Sequence, residues 1–326
     1  MESSTSIKFG VIGVGHLGNF HLRQLSDIPE VNLSGLYDID LMRAKEMSRD
    51  HSIPSISSME MLLNSSDAVS IVTPTHSHYK IAEQALDAGC HVFIEKPITD
   101  NLGHAKALLK KAAEVEKIIQ VGHIERFNPA YMALNKTGKS PDFIETHRLA
   151  PFNPRGNDVP VILDLMIHDI DIILSLIESK IQNICANGVK VASKTVDIAN
   201  ARLEFENGSV ANLTASRISQ KEMRKMRFFQ KNNYVTIDFL EEILEEYKVC
   251  DENTDNITDD NVVEIGTNNK KYILYNRPVI PKHDALREEL CHFIHCIQHA
   301  SQPETNGYSA TEALRLALEI QSIIDH

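Results

Sequence analysis

The feature of the sequence that most constrains the fold is segment 7–18, in which an apolar run ends in Gly13-x-Gly15-x-x-Gly18. The residues that follow, 16–26, carry leucines and a phenylalanine at helical spacing, so a strand, a tight turn and a helix are predicted. In such a turn the first glycine permits the bend and the second lets backbone N–H groups approach a pyrophosphate, while the third lets the helix pack on the strand. The sequence therefore predicts a dinucleotide site at this turn.

The start of this helix and the end of the next strand supply further candidate cofactor contacts. His16 and Leu17 occupy the first helical positions, where backbone N–H groups face bound phosphates. Asp38 ends the next apolar run and follows Gly18 at about the 20-residue spacing expected of the acid that binds the adenosine ribose. Because its negative charge would repel a 2′-phosphate, NAD is favoured over NADP. The alternative is that Asp38 caps a helix that begins near Asp40.

Apolar runs alternate with helical patterns throughout the first 122 residues. Strands are predicted at 31–37, 68–73, 91–95 and 117–121, and helices at 81–88 and 101–116. This alternation is typical of an α/β doubly wound parallel sheet, so residues 1–122 are assigned to a Rossmann dinucleotide-binding domain. Ligands of such sheets bind outside the carboxyl ends of the strands, which makes the residues there candidate cofactor contacts. They are Thr73, Pro74, His78, Glu95 and Lys96.

The pattern changes beyond residue 122. Helices are predicted at 127–136, 161–177, 284–299 and 309–325, and strands at 143–149, 184–192, 199–205, 210–216, 226–230 and 234–239. Polar residues at 206–208 and 231–233 indicate hairpin turns between successive strands. We therefore predict that residues 123–326 form an α+β domain with an open, mostly antiparallel sheet.

Charge and cysteine content limit the class of protein. The net charge of −12 and the pI near 5.7 argue against nucleic acid or an anionic membrane as the main partner. Five cysteines form no C-x-x-C pair, which suits a reducing compartment. No apolar run approaches the length of about 18 residues expected of a membrane span, and no signal peptide is recognised. We therefore expect a cytoplasmic protein.

Lys96 and a polar stripe on a later predicted helix are the candidate catalytic groups. Lys96 directly precedes a proline, which restricts the lysine backbone to extended conformations. Asp164 and His168 lie four residues apart, with Asp171 one turn further, so they share one face of the helix. From these residues alone, a structural hydrogen bond between Asp164 and His168 is as compatible with the pattern as catalysis.

Five motifs follow one another between residues 13 and 171 and carry a family resemblance that covers nearly all of the chain. They are Gly13-Val-Gly15-His-Leu-Gly18, Thr73-Pro74 with His78, Glu95-Lys96-Pro97, Gly122-His-Ile-Glu-Arg126-Phe-Asn-Pro129 and Asp164-x-x-x-His168-x-x-Asp171. With them the chain resembles the Gfo/Idh/MocA family of glucose-fructose oxidoreductases and inositol dehydrogenases, which are NAD(P)-dependent sugar oxidoreductases. The resemblance implies a Rossmann domain, then an α+β domain that binds substrate and whose open sheet joins subunits into a homodimer or homotetramer.

The resemblance also implies catalytic roles. Lys96 would hold the reacting hydroxyl, His168 would be the general acid and base, and Asp164 would support both. These roles fit the oxidation of a sugar CH–OH group, in which a base takes the hydroxyl proton as hydride leaves for the nicotinamide. No metal is needed for this chemistry.

One departure from the family pattern bears on the substrate. Met166 stands where many relatives have glycine, and Val159-Pro160-Val161 precedes the helix in place of a glycine-rich approach. Segments 148–156 and 163–171 instead resemble a branch that oxidises UDP-N-acetylglucosamine at C3. Its 3-keto product receives an amino group on the route to the 2,3-diamino sugars of lipid A. A dehydrogenase of a free sugar or inositol is the alternative.

Arginines are the candidate contacts of such a substrate. Arg148 and Arg155 would bind the diphosphate, because a guanidinium pairs with it bidentately. Arg126, in the fourth motif, is a further candidate substrate contact. The alternative is that Arg148 and Arg155 are surface arginines without a ligand.

Two other classes of protein are compatible with parts of the sequence. A metal-dependent hydrolase would use His76, His78, Lys96, His123 and Asp164, whose order mimics the ligands of an amidohydrolase barrel. The glycine turn and the antiparallel second half speak against a barrel. A non-catalytic NAD-sensing protein would share the fold, but its catalytic lysine and histidine would be dispensable.

Overall fold

The computed structural model describes residues 6–134, 141–153, 159–251, 262–265 and 271–326. The chain forms two compact units, one of Met1–Phe127 with His283–Arg315 and one of Asn128–Lys282 with Leu316–His326. Within the described ranges, no helix is both long and apolar enough to span a bilayer.

Helices and strands alternate in the first part of the chain, and strands predominate in the second. The first part contains β1 (Ile7–Ile12), α1 (His16–Ser26), β2 (Val31–Tyr37), α2 (Leu41–His51), α3 (Met59–Asn64), β3 (Ala68–Ile71), α4 (Thr75–Asp87), β4 (His91–Glu95), α5 (Leu102–Glu114), β5 (Ile119–Gly122) and a 3₁₀ turn (Ile124–Phe127). Next come α6 (Pro129–Met132), β6 (Phe143–Leu149), a π-helical turn (Ile162–Met166), α7 (Ile167–Leu176), β7 (Ile181–Val189), β8 (Ile198–Phe205), β9 (Val210–Ser216), β10 (Met223–Gln230) and β11 (Asn233–Asp238). The last are β12 (Ile243–Asp251), β13 (Val262–Ile265), β14 (Lys271–Asn276), α8 (Ala285–His299) and α9 (Gly307–Asp325).

The first unit is a Rossmann fold, as predicted. Its five strands are all parallel, in the order β2-β1-β3-β4-β5. The order reverses at β1 and β3, and in doubly wound sheets ligands bind beyond the strand ends at such a reversal. The glycine turn after β1 and the Glu95-Lys96 end of β4 therefore lie at the edge of the sheet where ligands bind.

The core of this unit includes a helix from the far end of the sequence. Phe293 of α8 packs edge to face on Phe9 and Phe93, with ring centroids 6.1 and 5.9 Å apart. Residues 123–326 are all predicted from the sequence to belong to the second domain, whereas α8 packs in the core of the first unit. The helical spacing of apolar residues predicts a buried face but not the sheet that this face covers.

The second unit contains an open sheet, and its mostly antiparallel character is confirmed. Within the described residues the order is β13-β14-β12-β11-β10-β6-β9-β8-β7, and β6 with β9 is a parallel pair. The sequence analysis did not predict β12 to β14. In β12 glutamates and a lysine stand among the apolar residues, so its pattern does not separate a half-exposed strand from a polar loop.

Candidate active site

The glycine turn has no room for a side chain at Gly13 or Gly18, whereas it has room for one at Gly15. Gly13 has φ +87°, and a Cβ there would lie 2.5 Å from the carbonyl oxygen of Val72. A Cβ on Gly18 would lie 2.0 Å from the carbonyl oxygen of Gly13, so only glycine lets α1 approach this closely. A Cβ on Gly15 would meet nothing within 4 Å. The backbone at Gly15 is therefore accessible to a ligand.

A cavity of about 440 Å³ lies beside this turn. It is lined by Val14, Gly15, His16, Asn19, Arg43, Glu46 and Met47. No side chain caps α1 at Gly15, and its first turn holds no acidic residue, so its N–H groups suit an anion. His16 and Leu17 are exposed at this helix start. These features fit the pyrophosphate of a dinucleotide.

Asp38 binds backbone rather than capping α2. Its Oδ2 accepts the N–H of Val14 at 2.9 Å, and its Oδ1 accepts the N–H of Asp40 at 2.8 Å. Asp40 is the residue that caps α2, because its side chain accepts the N–H groups of Met42 and Arg43. The helix-cap alternative for Asp38 is thereby ruled out, and the carboxylate is fixed next to the glycine turn.

Thr73 and Pro74 lie at the start of α4, and His78 lies inside that helix. His78 is buried, with Nε2 2.8 Å from the carbonyl oxygen of Thr73 and Nδ1 2.9 Å from that of Pro97. Burial lowers its pKa, although both carbonyl contacts act in the opposite direction. The sequence makes His78 a candidate cofactor contact. In the structure the helix starts at Thr75, and the ring joins two backbone segments.

Glu95 and Lys96 end β4. Oε1 of Glu95 lies 2.9 Å from Nε2 of His21, and Oε2 accepts the backbone N–H of Lys96 at 3.3 Å. Burial alone would raise the pKa of Glu95, but the contact with His21 and the charge of Lys96 hold it below its ordinary value. Glu95 is therefore a carboxylate that holds the lysine backbone, and the Lys96 side chain is partly exposed.

The predicted helix 161–177 consists of a π-helical turn followed by α7. Asp164 lies in the π-helical turn and His168 lies in the first turn of α7, and both are partly exposed. Asp171 is buried, and Met166 is fully buried. A π-helical turn inside a helix rotates the residues on either side relative to one another, and such turns are frequent at functional sites.

Arg148 is neither a surface residue nor open to a ligand. It is 3% exposed, and its Nη2 donates to Oδ1 of Asp169 at 2.7 Å. Nε of Arg148 also lies 3.1 Å from that oxygen, and the guanidinium stands 5.8 Å from the centroid of the Phe239 ring. Asp169 directly follows His168, so this buried ion pair ties β6 to the start of α7. The contacts favour a structural role over binding of a diphosphate.

The other candidate contacts have varied surroundings. Arg126 is largely buried in the 3₁₀ turn, with Nη2 3.8 Å from a carboxylate oxygen of Glu304. Arg155 lies outside the described residues. His76 is exposed and His123 is buried.

Comparisons with known proteins place the chain in a family. Residues 7–123 match the family model described as "Oxidoreductase family, NAD-binding Rossmann fold", and residues 144–233 match the model of the Gfo/Idh/MocA C-terminal domain. The chain belongs to the Gfo/Idh/MocA family. It is therefore an NAD-binding oxidoreductase, and the family predicted from the five motifs is confirmed. This family excludes the metal-dependent hydrolase.

Individual relatives are dehydrogenases of a nucleotide sugar or of an inositol. The chain is 42% identical over 242 residues to a UDP-N-acetylglucosamine 3-dehydrogenase of Acidithiobacillus ferrooxidans, covering 74% of this chain and 77% of that protein. The solved structure of such an enzyme from that organism matches with a TM-score of 0.88 over 98% of each chain, at 34% identity. The chain is also 30% identical over 232 residues to a scyllo-inositol 2-dehydrogenase (NAD(+)) of Bacillus subtilis, covering 65% of this chain and 68% of that one.

The sequence analysis missed two side chains next to the candidate cofactor contacts. Arg43 of α2 lies with Nη1 3.7 Å from Oδ2 of Asp38. His21 of α1 contacts Glu95, and a signal for it was present in the sequence. Gly18, His21, Leu22 and Leu25 are the buried residues of α1, and their helical spacing places the histidine on the face that packs on the sheet.

The open space at Gly15 predicts that Gly15→Ala folds but binds NAD poorly. The added methyl group would occupy the space through which backbone N–H groups reach the pyrophosphate, so we expect at least a tenfold loss of affinity, about 1.4 kcal/mol. The measurement is NADH fluorescence titration, with thermal unfolding of the same samples. Gly18→Ala is the matched comparison, and we expect it to lose stability because its Cβ meets the Gly13 carbonyl. Unchanged affinity in Gly15→Ala would contradict the assignment.

Proposed function

We propose that this protein oxidises the C3 hydroxyl of UDP-N-acetylglucosamine to a ketone, with NAD as the hydride acceptor. The observation that carries the proposal is the 42% identity to a UDP-N-acetylglucosamine 3-dehydrogenase over 77% of that protein. The 3-keto sugar would then receive an amino group on the route to the 2,3-diamino sugars of lipid A. The relation to a scyllo-inositol dehydrogenase supports a free cyclitol or sugar as the second candidate substrate.

The catalytic roles follow from the chemistry of the side chains. His168 takes the proton of the C3 hydroxyl, because an imidazole accepts and returns protons near neutral pH. The ammonium group of Lys96 binds the same oxygen and stabilises the negative charge that develops on it. Asp164 orients His168. Bound NAD supplies the nicotinamide carbon that receives the hydride.

The surroundings of Lys96 and His168 suit these roles. Glu95 accepts the backbone N–H of Lys96 at the end of β4, which fixes the point from which the lysine side chain projects. The buried Arg148–Asp169 pair holds the first turn of α7, where His168 lies. Rigid support of this kind keeps reacting groups within the narrow range of geometry that proton transfer needs. Arg155 and Arg126 remain the candidate contacts of the diphosphate and the sugar.

The NAD preference is proposed from Asp38. Its carboxylate is fixed beside the glycine turn by the N–H groups of Val14 and Asp40, in a position suited to the adenosine ribose. A 2′-phosphate would meet this negative charge at close range.

The reduced thiols support a cytoplasmic location, since Cys90 and Cys296 are buried and free, and burial raises the pKa of the Cys90 thiol to about 11.

The open sheet is proposed to join subunits. Five aromatic rings stand side by side across consecutive strands of one sheet face, with neighbouring centroids 4.8 to 5.5 Å apart. They are Phe143, Phe229, Tyr234, Tyr247 and Tyr275. All five are partly exposed, and a continuous row of such rings suits a second copy of the sheet.

Sedimentation velocity tests this association. We expect a dimer or tetramer for the wild type and dissociation in Tyr234→Glu/Tyr247→Glu, because two buried charges would be placed in the interface. Tyr308→Glu, at an exposed tyrosine of α9, is the control. A wild type that is monomeric at micromolar concentration would contradict the proposal.

The absorbance of NADH tests the substrate. Purified enzyme with NAD is given UDP-N-acetylglucosamine, free N-acetylglucosamine or inositol, with a ketone trap because the oxidation is uphill. We expect NADH with the UDP-sugar, and a fall in kcat of about 10³-fold in His168→Ala with NAD affinity retained. His299→Ala, at an exposed histidine of α8, is the control.

The other results of this assay would each contradict the proposal. NADH from inositol or the free sugar alone would favour the second candidate substrate. NAD binding without turnover of any of them, in wild type and His168→Ala alike, would indicate an NAD-sensing protein.

Cofactor preference tests the role of Asp38. In Asp38→Asn/Ile39→Arg one negative charge is removed and a positive charge is added at a side chain that is 90% exposed. Arg43 already lies beside this position. We expect kcat/KM to fall for NAD and to rise for NADP, and Ile39→Arg alone serves as the control. An unchanged ratio of kcat/KM for NAD to kcat/KM for NADP would contradict a contact between Asp38 and the ribose.

A further inference from the structure

A buried histidine of the dinucleotide helix contacts the residue that precedes the catalytic lysine. His21 of α1 is 1% exposed, and its Nε2 lies 2.9 Å from Oε1 of Glu95. On the other side of the ring, Nδ1 lies 2.9 Å from Oγ of Ser70 in β3. Phe93 stands edge to face against the ring, with centroids 5.4 Å apart. The imidazole is therefore fixed in position and orientation.

The charge on Glu95 determines where the proton of His21 lies. Burial favours the neutral acid, but the hydrogen bond and charge of His21, together with Lys96, lower the pKa of Glu95 below its ordinary value. A carboxylate can only accept hydrogen bonds, so Nε2 of His21 carries the hydrogen and donates it. Nδ1 then accepts a hydrogen bond from the Ser70 hydroxyl when the imidazole is neutral and donates one to it when the imidazole is charged.

Glu95 is held from three sides. His21 binds Oε1, the backbone N–H of Lys96 donates to Oε2, and Gly122 at the end of β5 lies directly against the carboxylate. A Cβ on Gly122 would come within 2.8 Å of Oε2, so a side chain there would displace the carboxylate. Three elements of the Rossmann unit thus converge on one group next to Lys96.

We propose that His21 is a positioning residue for Lys96: it holds Glu95, and Glu95 holds the peptide from which the catalytic lysine projects. The proposal rests on the proposed function, because it assumes that Lys96 acts on the substrate. It also gives α1 a second role. The helix whose N-terminus faces the dinucleotide carries, on its buried face, the donor that fixes the end of β4.

Among the residues that the structure describes, ionisable side chains on several elements interact with Glu95. They include His21 on α1, Lys96 at the end of β4 and His78 on α4. Loss of the His21 donor leaves burial opposed mainly by Lys96, so the pKa of Glu95 rises. Glu95 then becomes protonated at higher pH than in the wild type, and the neutral acid accepts the N–H of Lys96 more weakly than the carboxylate does.

A pair of polar variants tests this arrangement. His21→Gln keeps an N–H donor within reach of Glu95, whereas the side chain of His21→Asn is too short. We expect His21→Asn to lower kcat by about ten- to a hundredfold, because a hydrogen bond to a charged group is lost, and to move the acid limb of the kcat profile to higher pH. His21→Gln should recover most of kcat, and NAD affinity should change less than threefold in both.

His91→Asn is the matched control. His91 lies at the opposite end of β4, where Nδ1 accepts the backbone N–H of Ile118 at 3.1 Å, and is remote from Lys96 along the strand. We expect it to alter stability and leave kcat unchanged. Equal kcat in His21→Asn and wild type would overturn the proposal. So would a loss of NAD affinity with kcat retained, because His21 would then serve the cofactor helix alone.

A measurement without turnover separates this proposal from the proposed function. Glutamate labelled with ¹³C at the carboxyl carbon reports the ionisation of Glu95 by NMR, with the signal assigned from its absence in Glu95→Gln. We expect the Glu95 signal to titrate at higher pH in His21→Asn than in wild type and in His21→Gln. Identical titration in all three would overturn the role of His21. If the wild type makes no NADH from any substrate, the proposed function fails while this titration still tests the contact.

Discussion

The approach of α1 to the turn before it is the constraint on which the first unit depends. Because Gly18 has no side chain, the helix packs against the carbonyl of Gly13 at a distance that a Cβ would close to 2.0 Å. This approach directs the N-terminus of α1 toward the cavity beside the turn. It also brings His21, on the buried face of the same helix, into contact with the end of β4. One close backbone contact therefore supports both the dinucleotide site and the position of Lys96.

Carboxylates at strand ends in this unit accept backbone N–H groups and so fix the neighbouring loops. Asp38 after β2 binds the N–H of Val14 in the glycine turn, and Glu95 at the end of β4 binds the N–H of Lys96. Each of these side chains was predicted to contact the cofactor, and each makes backbone hydrogen bonds within the protein. The two roles are compatible because a carboxylate accepts several hydrogen bonds. Loss of the side-chain acceptor at such a residue would remove both the cofactor contact and the backbone hydrogen bonds. Asp38→Asn keeps an acceptor oxygen for the backbone N–H groups.

The sequence predicts those parts of the structure whose signal is local. The bounds predicted for β2, β4, β6 and β9 coincide with the observed ones, because each is a short apolar or alternating run between turn residues. The π-helical turn at Asp164 was not predicted, since a single i→i+5 turn leaves no periodic trace in the sequence. Arg148 could not be separated from a phosphate ligand because its partner, Asp169, lies on another element. The place of α8 likewise depends on which sheet offers a complementary surface.

Transfer of an isotope label shows whether hydride passes from C3 of a nucleotide sugar to NAD. UDP-N-acetylglucosamine carrying deuterium at C3 is incubated with the enzyme and NAD, with a trap for the ketone, and the cofactor is analysed by mass spectrometry. We expect reduced cofactor that is one mass unit heavier than unlabelled NADH, together with loss of deuterium from the sugar. Unlabelled NADH with deuterium retained at C3 would show that another carbon is oxidised and would contradict the account.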